Sequence, residues 1–203
     1  MNRAVVHFVL IAVAVAASKN GVNARVPAQP ESFQSAFAAC NVNYAVSQAR
    51  QFVIGSGSAP VLQRCLGREW SRATFRVQTY RYALAKVLLQ RDFAAGLPLE
   101  ITEITLSPAQ TLWPLKGRDA DAERRRFIVA ECVIRKEPTK SFALVGVDAG
   151  EESAEPVMAQ LAATLVVCSA GSQVRYPSGF EMHESIVTRM YQLAYAARKP
   201  ANA

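Results

Sequence analysis

Four cysteines, Cys40, Cys65, Cys132 and Cys168, constrain this chain of 203 residues more than any other feature. They fall in two pairs, and the residues around the second pair read as a diverged copy of those around the first. A shift of 92 sets Ala36 to Cys40 on Ile128 to Cys132 and carries Phe52-Val53 onto Leu144-Val145 without a gap, apolar on apolar. Pro60-Val61-Leu62 then matches Pro156-Val157-Met158 after four extra residues, and the five steps from that proline to Cys65 become twelve before Cys168. The difference is close to two turns of α-helix at about 3.6 residues each, so one helical face is kept while the helix shortens. Beyond the second cysteine a shift of 103 places Ala83 to Val87 on Ile186 to Met190. What recurs is cysteine, proline and apolar spacing, which is architecture rather than chemistry.

The N-terminus decides how the cysteines are read. Arg3 supplies a basic start, Val5 to Ala17 an apolar run interrupted by His7, and Val22-Asn23-Ala24 a small-residue cleavage site, with cleavage after Ala16 as an alternative. Residues 1–24 therefore read as a signal peptide. An uncleaved anchor would need about 20 apolar residues to span a bilayer, and this run is shorter. Export to the periplasm or outside the cell is the expectation, with no transmembrane segment in the mature chain.

In an oxidising compartment an even set of cysteines reads as disulfides. If each copy closes its own bridge, the pairs are Cys40 with Cys65 and Cys132 with Cys168. A metal site lacks support from spacing: there is no Cys-x-x-Cys, and His183 is the one histidine beyond the leader. No metal and no cofactor are expected.

Periodicity points to helices. Phe33, Ala36, Phe37 and Cys40 share one stripe, Tyr80, Ala83, Leu84, Val87 and Leu88 a second, Val157, Leu161, Leu165 and Cys168 a third, and Ile186, Met190, Leu193 and Ala197 a fourth. Pro156 and Glu151, Glu152 and Glu155 suit a helix start before the third. The predicted fold is all-α: a helical unit over 25–95, an irregular Pro-containing linker over 96–122, a second unit over 123–198, and a disordered tail over 199–203. The alternative is α+β, with Ile101 to Ile104 and Phe142 to Val147 as short strands.

The formal charge is +7, and loss of Arg3 and Lys19 with the leader leaves +5. The excess lies in the first unit, where Arg64, Arg68, Arg72, Arg76 and Arg81 stand among Trp70, Phe75, Tyr80 and Tyr82. Arg64 to Arg76 are spaced by four and would form one basic ridge if the helix were continuous. Gly67 and the β-leaning run Ala73 to Val77 argue against continuity. Aromatic-basic mixtures suit nucleic acid, but an exported chain is not expected to meet it. An anionic envelope component, either lipid headgroup or polysaccharide, or a protein partner fits better.

Catalysis has little to stand on. A Ser-His or Cys-His mechanism would need His183, in Glu181-Met182-His183-Glu184, where a surface position in the first turn of the last helix is expected. Gly55-Ser56-Gly57-Ser58 lacks the Gly-x-Ser-x-Gly order and reads as an interhelical loop, and no phosphate loop is present. A carboxylate pair of Glu69 and Glu181 across the units remains conceivable.

The arrangement of Phe-x-x-Cys, a Gly-rich turn, a Pro-started helix to a second cysteine and a closing amphipathic helix resembles exported bacterial proteins of uncharacterised activity. That resemblance implies no functional residue. Three readings follow: a non-enzymatic module that binds another protein, attachment to an anionic surface through the basic first unit, and a hydrolase using His183. The first expects a groove or apolar patch between the units.

Overall fold

A computed structural model describes residues 31–66, 76–104, 106, 118–170 and 179–198. The leader read over 1–24, Arg68, Arg72, Glu69, Trp70 and the tail 199–203 lie outside them. Among the described residues there are six α-helices and no strand: α1 (Glu31–Val53), α2 (Val77–Asp92), α3 (Arg118–Lys136), α4 (Pro138–Ala143), α5 (Ala154–Ser169) and α6 (Gly179–Arg198). Short 3-10 turns occupy Gln63–Cys65, Leu99–Thr102 and Leu144–Gly146. The all-α expectation holds, and both stretches offered as strands are helical turns instead.

The reason is visible in their hydrogen bonds. Among the described residues no strand pairs with either segment, and side chains from helices take the peptide groups a ladder would have used. Arg135 of α3 donates to the carbonyls of Thr102 and Ile104. On the other segment, Gln90 donates to Val145 O at 3.2 Å, Lys86 to Val147 O at 2.9 Å, and the Ala149 amide to the Tyr82 hydroxyl at 3.0 Å.

The disulfides are the two expected pairs, with Cα atoms 5.7 Å apart in each bridge. Cys40–Cys65 ties α1 to the turn after it, and Cys132–Cys168 ties α3 to α5. Asn41, buried one residue after Cys40, reinforces the first bridge: its amide donates to Phe37 O and its carbonyl accepts from the Leu62 amide.

α1 kinks at Ala45, where φ and ψ leave the helical region. Arg91 donates to the Val42 carbonyl in the turn before the kink, the kind of side-chain insertion that bends helices. The stripe on α1 is accordingly rotated from the expected one. Ala36 is exposed, while Phe37, Ala38 and Val42, then Ala49, Phe52 and Val53, face the core. The helix ends in a Schellman cap: Ser56 N–H bonds Gln51 O at 2.8 Å and Gly55 N–H bonds Phe52 O at 3.1 Å, with Gly55 at φ 84°. The Gly55 to Ser58 stretch is thus a turn, as its composition suggested.

α6 sets the architecture. Met182 to Ala194 are buried without interruption, because α6 packs on both α2 and α3 and also meets α1, α4 and α5. α2 is similarly enclosed from Thr79 to Ala85. Several of their polar side chains are matched internally. Gln192 donates to Val53 O at 2.8 Å, and Tyr191 donates to Asp92 at 3.1 Å while Arg50 grips the same carboxylate with two hydrogen bonds. Glu131 of α3 receives Arg135 and Arg189.

The boundaries expected from sequence shift accordingly. α3 begins at Arg118, inside the stretch read as linker, and Ile101 from that stretch is buried in the common core. Residues aligned by the shift of 92 share burial, Phe37 with Val129 and Phe52 with Leu144. The second pair does not share conformation: Phe52 lies in α1, whereas Leu144 opens a 3-10 turn. Where α5 runs for 16 residues to the second bridge, the first unit has only the turn Gln63–Cys65.

Candidate functional site

The N-terminal halves of α2, α3 and α6 border a groove of about 550 Å³. α2 contributes Thr79 and Arg81, with Arg76 just before it at the mouth; α3 contributes Glu123, Arg126 and Phe127; α6 contributes Phe180, Glu181, Glu184 and Ser185. The groove therefore lies where α2, α3 and α6 converge. Its walls mix two aromatic rings with three arginines and three glutamates.

The helical periodicity explains the arrangement. Glu123, Arg126 and Phe127 stand at i, i+3 and i+4 on α3, and Glu181, Glu184 and Ser185 repeat that spacing on α6, so each helix presents a single face. Arg81 and Glu123 form a buried ion pair at 3.3 Å, with residue exposures of 1% and 3%. Burial dominates both: it lowers the Arg81 guanidinium and raises the Glu123 carboxyl, each partly offset by the other's charge. At the mouth Arg126 stands 3.8 Å from Glu181, both partly exposed.

This placement corrects the reading of Arg81 as an exposed anionic-ligand residue. Arg81 is enclosed because α2 is buried all round at that level, and its charge is answered by Glu123. Arg64 is exposed in the 3-10 turn, its guanidinium 3.9 Å above the Tyr44 ring, and Arg76 is exposed immediately before α2. Arg68 and Arg72 lie outside the described residues. Arg64 and Arg76 thus sit in different local structures rather than on one continuous helix.

His183 is the second correction. Expected at the surface, it is 1% exposed, on the α6 face turned toward α2 and the Leu144 turn. Nε2 meets the Leu144 carbonyl at 3.0 Å, so that nitrogen carries the proton, and Nδ1 accepts no hydrogen bond among the described residues. The ring stands edge-on to Tyr82. Burial lowers its pKa to about 4. An enclosed imidazole locked onto a backbone carbonyl is a packing element, and the surface offers a hydrolase no access to it.

The Glu69 half of the conceived carboxylate pair lies outside the described residues, while Glu181 is at the groove mouth beside Arg126. Among the described residues no cluster of three His, Cys, Asp or Glu side chains is placed to hold a metal ion. No described helix is long and apolar enough to cross a membrane. Sequence reasoning passed over Glu123 and Glu184, the two buried carboxylates of the groove. The available signal was an acid recurring within an otherwise inward-facing helical spacing, which is visible only once the inward face is known.

Comparison of the chain with protein-family models, with curated proteins and with solved structures finds no match.

Proposed function

We propose that this chain is an exported, non-enzymatic helical module, built from two related units, that binds another protein through the groove between α2, α3 and α6. The leader-like N-terminus and the two disulfides support export. The observation that carries the binding reading is the groove itself. Its volume is in the range of recognition pockets, about 300–1,000 Å³, and its floor holds ionisable side chains that a structural core would ordinarily exclude. A pocket of this size seats one or two side chains of a partner, while the surrounding helix ends supply the rim.

A photocrosslinking residue in place of Arg76, at the mouth, tests this in cells that make the protein. One defined protein adduct is expected, and Ala122→Trp, which fills the groove from α3, should abolish it. The same residue at Leu99, exposed and away from the groove, should give no adduct. Crosslinks that ignore Ala122→Trp, or that arise equally from position 99, would defeat the assignment.

A further inference from the structure

α5 is apolar on every side, and the rest of the fold encloses only one of them. From Pro156 to Ala170 the sequence holds no charged residue. Ala154, Leu161 and Leu165 are buried, and Cys168 on that side is bridged to Cys132 of α3. The opposite face carries Pro156, Ala159, Ala163, Val166, Val167 and Ala170, all exposed, with Val166 and Val167 at 57% and 59%. Their intervals of three and four residues set them on one stripe along the helix. A helix that is apolar all round is ordinarily buried all round, yet this stripe faces outward.

The stripe has a continuation on α3. Cys132 lies level with Cys168, and Lys136, one turn later on α3, borders Thr164, one turn earlier on α5, so the two helices run antiparallel. Ile128 and Arg125, one and two turns before Cys132, therefore extend past the C-terminal end of α5. Ile128 is 58% exposed, and Arg125 is exposed too. Arg124 beside it already meets Asp121 at 3.6 Å. The opposite end of α5 is acidic, with Glu151, Glu152 and Glu155 exposed around its start. The face is thus an apolar seam with acid at one end and base at the other.

We infer that this seam docks a second copy of the chain, the two α5 helices lying antiparallel across a two-fold axis near Ala163. Ala159 then lies opposite Val167 of the second copy and Pro156 opposite its Ala170, while Glu152 and Glu155 reach its α3 turns bearing Ile128 and Arg125. A seam with opposite charges at its two ends matches itself only in this orientation, because a parallel pair sets acid against acid. An anionic membrane surface fits poorly, since α5 has no basic residue and its leading end is acidic. The alanines let the helix axes approach to about 8 Å, the close end of helix packing. The strip is about 35 Å long and one helix, about 10 Å, wide. That is less than the ~800 Å² per partner of a standard stable interface, so the pair is weak, with a Kd of about 10–100 µM.

Sedimentation velocity of the purified, oxidised protein from about 1 µM to about 1 mM brackets that range and should show a reversible monomer–dimer transition. Ala163→Arg changes an exposed position; it should weaken association at least about tenfold and keep the wild-type thermal midpoint in dilute solution, since the inner face of α5 is untouched. Arg125→Glu should also weaken it. Combining that change with Glu152→Arg and Glu155→Arg reverses both ends together and should restore the dimer. A photocrosslinking residue in place of Ala159 reads the orientation, with adducts expected between position 159 of one copy and the region of Val167 in the other. A monomer throughout the range would leave the face to a different partner and overturn the inference. A dimer indifferent to Ala163→Arg, or adducts joining position 159 to position 159, would overturn it equally. Ala122→Trp, which fills the groove, should leave the dimer unchanged; its loss there would move the interface to the groove and refute the seam.

Discussion

Acidification should weaken this protein through His183 in a defined window. The imidazole is enclosed between α2, α6 and the Leu144 turn, neutral, with Nε2–H on the Leu144 carbonyl. Protonation would put a second N–H on Nδ1, which faces no acceptor among the described residues, and would add a positive charge near Lys86. The folded-state pKa, about 4, lies below the ordinary value of 6.5 because burial penalises the cation. The unfolded chain therefore binds the proton more readily. Stability from this site is fully present above pH 6.5 and declines as pH falls toward about 4. At 1.36 kcal/mol per pH unit, that interval corresponds to about 3 kcal/mol.

Other ionisable groups also respond to acid, among them Glu123, whose carboxyl burial raises, so the measurement is a difference. Urea unfolding of wild type and His183→Gln is followed from pH 7.5 down to pH 4. The glutamine can still donate to Leu144 O but does not titrate. Wild type should be the more stable at neutral pH, and its advantage should shrink by about 3 kcal/mol across the window. Parallel stability curves would refute the argument, since they would mean that His183 binds its proton equally well folded and unfolded.

Leu84→Asp places a carboxylate at a fully buried position of α2 and should cost more than about 4 kcal/mol, enough to prevent folding of a marginally stable domain; a soluble variant with unchanged circular dichroism and midpoint would show that α2 is not core. Glu131→Ala strips the shared partner from Arg135 and from Arg189, which is nearly enclosed, and should cost about 3–5 kcal/mol in urea unfolding. A loss well below about 1 kcal/mol, the range of a surface pair, would mean that Arg189 is hydrated instead. Replacing Cys40 and Cys65 together by Ala should lower stability by about 3–4 kcal/mol through loop-closure entropy, and an undiminished chemical midpoint would show that the Asn41 contacts alone hold that turn.

Much of the helical framework was legible from spacing. Tyr80, Ala83, Leu84 and Leu88 on α2 and Ile186, Met190 and Leu193 on α6 are core positions, as their intervals indicated, and the two bridges join the cysteines expected to pair. The enclosure of α6 on every side was not legible. His183, Glu184, Arg189 and Gln192 mark a solvent face in a hydropathy pattern, and in the structure each is buried. Arg189, Gln192 and His183 bond to Glu131, Val53 O and Leu144 O, residues distant in sequence. Polar residues on a central helix look like surface until their acceptors are located. The groove was hidden for the same reason, because Glu123 reads as one charge in a charged stretch of α3 and its meaning depends on Arg81, 42 residues earlier.

The central place of α6 has a consequence for how the chain acquires its shape. It is the last of the six helices in chain order, yet it separates and joins α2 and α3, which have few direct contacts of their own. Both disulfides span short local separations, 25 and 36 residues, and every cysteine precedes α6. During synthesis from the N-terminus the covalent cross-links can therefore close before the core can. Until α6 has emerged, α2 has α1 and α3 has α5 to pack against, but the surface that joins α2 to α3 is missing.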